Sequence, residues 1–179
     1  MRSPLMLSKS RIEGLSDGVF SITMTLLVMR LEIPEVMHHS SNQEMLRQML
    51  ALWPAFATFV VTFLIAGVFW YLHHITFHSI RHVDGLLLWI DLLFLMFVAL
   101  LPFSAGLMTH LLVHPVSQLF YIGNQLAIAI LLNIHWFYAK RKYLLDPSDP
   151  GFIRNITWRI GFAGTFFAVC LLAALILMA

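Results

Sequence analysis

Two aspartates and a group of histidines stand inside stretches that are otherwise built from apolar residues. Asp17 lies in "RIEGLSDGVFSITMTLLVMRLEIP", with Arg11 and Ser16 just before it. Asp91 lies in "LLLWIDLLFLMFVALLPFS", and Trp70, His73 and His74 fall near the end of "LWPAFATFVVTFLIAGVFWYLHHITF". An imidazole near a carboxylate can relay a proton or hold an ion, and the same groups can tie helices together by hydrogen bonds. His74, His78 and His82 recur every four residues, and two imidazoles at that spacing can hold zinc if the helix continues past Phe77. An interfacial histidine patch needs no metal and is the reading taken. Ser16 with His73 is the one nucleophile–base pair that can be constructed for hydrolysis, and no enzyme is expected. His38–His39, His110 and His114 are weaker metal candidates still.

The elements that carry these residues follow from composition. The chain has 179 residues, 60% of them hydrophobic and only 11% charged, well outside the averages for soluble domains. A membrane protein is therefore the class expected, as one compact domain over residues 1–179. A net charge of +2 is too small to suggest nucleic acid as a partner. The lone Cys170 sits in an apolar run and excludes a disulfide framework. The first apolar run is about as long as a membrane span and lacks a small-residue cleavage site after it, so it does not read as a signal peptide. No cofactor is implied.

About twenty apolar residues make a helix long enough to cross the hydrocarbon core. Five stretches qualify: about Ile12–Leu31, Leu46–Tyr71, Leu86–Leu107, Val116–Ala139 and Ile156–Met178. The short alternating segments of a spanning barrel are absent, so the class is an all-α polytopic helix bundle. Arg2, Lys9, Arg11, Arg81, Lys140, Arg141, Lys142 and Arg154 all fall on one side of such a topology. By the positive-inside rule that side, with the N-terminus, is cytoplasmic. Asp17, Trp70, His73, His74 and Asp91 then share one depth, within roughly 10 Å of the cytoplasmic interface at 1.5 Å per residue. Burying an Asp at the centre of a span costs on the order of 3 kcal/mol, and less near its end. Asp17 is expected to be a tie between helices, with direct ion or proton handling the alternative.

The first span has three faces. Leu15, Val19, Ile22, Leu26, Met29 and Ile33 form an apolar line, Gly14, Gly18, Ser21 and Thr25 a line of small residues, and Ser16, Asp17 and Thr23 a polar one. At 100° per residue, Asp17 points about 140° away from Ile22 and about 180° away from Leu26. The apolar line suits lipid or bundle contact, or a hydrophobic constriction that gates by dewetting.

These residues carry a resemblance. The first segment resembles the first helix of the transmembrane protein 175 family, endolysosomal potassium channels and their bacterial relatives. That helix begins with an arginine, then Phe-Ser-Asp, then an apolar run ending near Glu-Ile. Arg11, Ser16 and Asp17 match, and Leu15 replaces the phenylalanine. Trp70, His73, His74 and Phe77 match the second helix, and Asp91 stands where relatives usually carry asparagine. The match covers about the first 105 residues; the last two spans match only in character.

The resemblance implies a multi-pass, homotetrameric potassium channel of a bacterial plasma membrane, with six spans per unit against the five read here. It implies a pore lined by the first helix of each subunit, with Ile22 as the narrowest ring, Leu26 and Met29 as further rings and Thr25 as a polar contributor. Arg11, Ser16, Asp17, Trp70, His73, His74 and Asp91 would hold that helix in place. The alternative is a proton-coupled secondary transporter using Asp17, Asp91 and His73, against which stands the lack of paired interrupted helices near the bilayer midplane.

Overall fold

The computed structural model describes residues 8–31, 41–110, 114–142, 144–145 and 150–178. Among them are seven helices: α1 Lys9–Val28, α2 Asn42–Ala51, α3 Trp53–His78, α4 Gly85–Ala99, α5 Leu101–His110, α6 Pro115–Arg141 and α7 Pro150–Met178. Four helical stretches are long and apolar enough to cross a membrane: Trp53–His78, Gly85–Thr109, Pro115–Arg141 and Gly151–Ile176. The chain is thus a multi-pass, all-helical protein. At 20 residues α1 is about 30 Å long, but Lys9, Arg11, Glu13 and Asp17 keep it below the apolar level of the others.

Helix boundaries depart from the expected spans at prolines. The second span was expected over Leu46–Tyr71, yet Leu46 belongs to α2 and the long helix runs from Trp53 to His78. Pro54 sits in the first turn of α3, where a missing N–H costs nothing, so a new helix starts there. The expected third span is two helices, because Pro102 cannot donate into the turn before it and the chain breaks at Leu100. The first helix stops at Val28, short of the expected Leu31, while α7 begins at Pro150, ahead of the expected Ile156.

α6 lies at the centre, packed against α7, α4 and α5. Its Ile128, Leu132 and Trp136 are fully buried with Phe20 of α1, Phe69 of α3, Phe94 of α4 and Ile156 and Ile160 of α7. The Trp136 indole N–H is satisfied by Thr157 Oγ1 at 2.9 Å. In lipid the core gains from close packing and satisfied polar groups rather than from burial of oil.

The loop ends beside α3 and α6 are stitched together. Arg81 N–H donates to the Leu144 carbonyl at 2.8 Å, and Ile80 and Leu145 form an antiparallel bridge. Asp84 caps α4 by accepting from Leu87 N–H at 2.8 Å, and its second oxygen accepts from the Tyr138 hydroxyl of α6 at 2.6 Å. Asp84→Ala removes both bonds. Losing a cap costs about 1 kcal/mol and losing the phenol bond about as much again, so a lowered thermal midpoint of the purified protein in detergent is expected.

Candidate functional site

α1 is held by its own chain along a single stripe. Ile12, Ser16, Phe20, Thr23 and Leu27 are buried against α3, α4 and α5, recurring at intervals of four and three. Val19 and Met24 pack partly against the core at the edges of this stripe, and the face beyond them is open. Ile22 is 61% exposed, Leu26 47% and Met29, just past the helix end, 72%. Gly14, Gly18, Ser21 and Thr25 are exposed beside them, and a methyl added at Gly14 or Gly18 would touch nothing within 4 Å. Ile33 lies outside the described residues.

The two hydroxyls on that open face are oriented by the backbone. Ser21 Oγ donates to the Asp17 carbonyl at 2.7 Å, and Thr25 Oγ1 lies 3.0 Å and 2.8 Å from the carbonyls of Ser21 and Ile22. A hydroxyl has one proton to give. With it turned inward, each oxygen presents lone pairs outward, the polarity a cation accepts.

Of the seven residues expected to form one network, six divide into two groups and Arg11 joins neither. The first is buried: His73 Nε2 is 2.7 Å from Asp91 Oδ1, and Ser16 Oγ is 3.4 Å from Asp91 Oδ2 and 3.0 Å from the Ile12 carbonyl. Phe94 stacks on the His73 ring with centroids 5.0 Å apart and planes 5° apart, and Phe77 lies against it at 4.7 Å. α1, α3 and α4 thus meet at one carboxylate. An imidazole–carboxylate pair at this distance is a strong hydrogen bond, and with both side chains buried each partner depends on the other.

The second group lies on the surface of the chain. Asp17 Oδ1 accepts from the Trp70 indole N–H at 2.9 Å, and Trp70 stacks on His74 at 5.6 Å. Through this bond Asp17 links α1 to α3, and it is exposed; the buried acid is Asp91. The reason is angular. Ser16 points into the bundle, and the next residue along a helix points about 100° away. Arg11 is exposed and its side chain bonds to neither carboxylate among the described residues.

α3 ends at His78, so His82 does not continue the row of His74 and His78. No group of three metal-ligating side chains occurs among the described residues. Ser16 and His73 both turn to Asp91 rather than to each other. His38 and His39 lie outside the described residues.

One residue of this site was not anticipated. His135 of α6 is buried, 5.9 Å from His73 and 5.1 Å from Phe77, stacked at 24° on the latter. Neither of its ring nitrogens has a partner among the described residues. Its signal in the sequence was an ionisable side chain inside the apolar run "LLNIHWF", which is costly in a span and so a candidate for function by default.

Comparison with known proteins follows this geometry. The family model described as "Endosomal/lysosomal potassium channel TMEM175" matches residues 11–102, which include α1 from Arg11 onward, α3, α4 and Asp91. A protein named a potassium channel from Chamaesiphon minutus is 31% identical over 176 residues, 94% of this chain and 85% of that one. Another so named, from Streptomyces collinus, is 32% identical over 142 residues, 76% of this chain and 68% of its own. The crystal structure of a lysosomal potassium-selective channel TMEM175 homolog from Chamaesiphon minutus superposes with a TM-score of 0.79 at 30% identity, covering 94% of this chain and 87% of that one.

Proposed function

Because this chain belongs to the TMEM175 family of ion channels, we propose that it is the subunit of a potassium-permeable channel in which four copies surround one pore lined by α1. The observation that carries this reading is the open face of α1. A helix turned to lipid by that face would put the hydroxyls of Ser21 and Thr25 against hydrocarbon, where they gain no polar partner beyond the helix's own carbonyls. Against copies of itself, the glycines allow close approach and the hydroxyls gain water or ions. One helix cannot enclose a conduit, so several subunits are needed.

Ile22 forms the narrowest ring of the closed state, with Leu26 and Met29 further along the axis. A ring of such side chains narrow enough to dewet stops ions without a physical plug. Thr25, its lone pairs turned outward, meets the ion where hydration is incomplete. The buried Ser16–Asp91–His73 contact and the Asp17–Trp70 bond fix the rotation of α1 from behind, so that Ile22 and Leu26 stay on the axis. α1 makes the fifth span of the subunit, with its N-terminus in the cytoplasm, in keeping with the basic residues gathered on that side. The membrane is the plasma membrane of a bacterium.

The test is the reversal potential of the purified protein in a planar bilayer with potassium and sodium on opposite sides. A potential displaced toward the potassium equilibrium value is expected. A potential that follows an imposed proton gradient instead, with flux that saturates, would favour proton-coupled transport through Asp17, Asp91 and His73.

A further inference from the structure

The basic end of the α6–α7 pair opens into a groove that the channel reading does not use. Its volume is about 650 Å³, and it runs along α7 between Lys140 and Arg154 at one end and Phe162 and Thr165 at the other. Both cationic side chains are exposed, and neither has an ion-pair or hydrogen-bond partner among the described residues. The described residues lining the groove include no carboxylate. The segment from Lys140 to Arg154 contains four basic residues (Lys140, Arg141, Lys142, Arg154) and two acidic ones (Asp146, Asp149).

Below the charges the walls are apolar. Trp158 is 76% exposed and Phe162 71% exposed, flanking Gly161, where an added Cβ would meet no atom within 4 Å. A second groove of about 750 Å³, between α6 and α7 and edged by Arg141, shares Gly161 and Thr165 with the first. A tryptophan beside cations at the end of a span marks the headgroup level of a bilayer. Exposed basic side chains above an apolar groove match one kind of occupant, which carries a phosphate on a pair of hydrocarbon tails.

We propose that this groove is a binding site for an anionic phospholipid, with Lys140 and Arg154 on the phosphate and an acyl chain along Trp158, Gly161 and Phe162. The charge complementarity selects anionic over neutral lipid, and the Gly161 gap admits the chain. The proposal needs only that α6 and α7 span the membrane, and so stands apart from the pore reading.

The full chain is placed in nanodiscs of equimolar phosphatidylcholine and phosphatidylglycerol, released, and its retained lipids counted by native mass spectrometry. Phosphatidylglycerol is expected to be preferred roughly 30-fold, the equivalent of about 1 kcal/mol for each of two basic side chains. The preference falls to near one in Lys140→Gln/Arg154→Gln. Gly161→Leu, which keeps both charges and whose Cβ meets no atom within 4 Å, lowers retention of either lipid. Equal retention of the two lipids by the unaltered protein, or an unchanged preference in the double variant, overturns the proposal. So does displacement by inorganic phosphate alone, which would assign the cations to a free anion. A changed oligomeric mass in Gly161→Leu would also overturn it, by assigning the groove to another protein segment.

Discussion

Ile22→Asn is expected to raise basal potassium efflux from proteoliposomes roughly tenfold or more, the effect of lowering the barrier by about 1.4 kcal/mol in total across the ring. In the proposed assembly each subunit contributes one such side chain, so a third of a kilocalorie per subunit suffices. Asparagine can hydrogen-bond water where isoleucine cannot, and a ring that stays wet no longer excludes ions. The substitution is informative because Ile22 is 61% exposed and takes no part in the buried stripe of α1. Folding should therefore be unaffected, and a thermal midpoint close to that of the unaltered protein is the accompanying expectation. Leu27→Asn is the contrast. Leu27 is 1% exposed, and an amide there is buried without partners, which costs stability rather than opening a pore. Efflux and selectivity unchanged in Ile22→Asn would remove α1 from the pore.

The second large effect concerns the anchor behind that helix. Asp91→Ala should destabilise the subunit by about 1–3 kcal/mol, the cost of leaving a buried hydrogen-bonding partner unsatisfied. The carboxylate lies 2.7 Å from His73 with side chains 4% and 1% exposed, and the rings of Phe20, Phe77, Phe94 and His135 lie around the imidazole. With total stabilities of small proteins commonly near 5–15 kcal/mol, the expected result is a large fall in the thermal midpoint or in the yield of folded protein. Asp91→Asn keeps an acceptor oxygen for His73 and should lose much less. Ser16→Ala, which gives up a long bond at 3.4 Å, should cost about 1 kcal/mol or less. Fluorescence-detected size exclusion after heating ranks all three. An Asp91→Ala protein as stable as the unaltered one would show that the carboxylate holds nothing.

The two effects also separate the roles of the faces of α1. In the proposed assembly, substitutions on the buried stripe are expected to act on stability, those at Ile22 and Leu26 on conduction, and those at Asp17 on the link to Trp70. Loss of conduction in Asp17→Asn with assembly intact would instead speak for ion or proton handling at that carboxylate.

Much of this was legible in residue order alone. Transfer energies are properties of single side chains, and backbone groups in lipid must be satisfied within each segment. Composition and run length therefore dictate a multi-pass helical protein, and the "RIEGLSD" and "WYLHH" stretches carry the family resemblance on their own. Pro54 and Pro102 were equally visible, and their lost N–H donors set the helix breaks at Trp53 and Leu101 that run length alone does not register.

Rotation about each helix axis was decided only by tertiary packing. Hydropathy separates inside from outside in water, but a membrane surrounds every face with oil, so an apolar stripe gives no preference among lipid, bundle and pore. The stripe of α1 that turned inward includes Ser16 and Thr23, and the more continuous apolar line through Ile22 and Leu26 was left open. Which carboxylate is buried follows from the same rotation. Asp17 and Asp91 share a depth, yet α4 directs Asp91 at His73 while α1 carries Asp17 past the edge of the bundle to Trp70. His135 reaches that site from a helix 44 residues further along the chain, by a packing of α6 that no local pattern encodes.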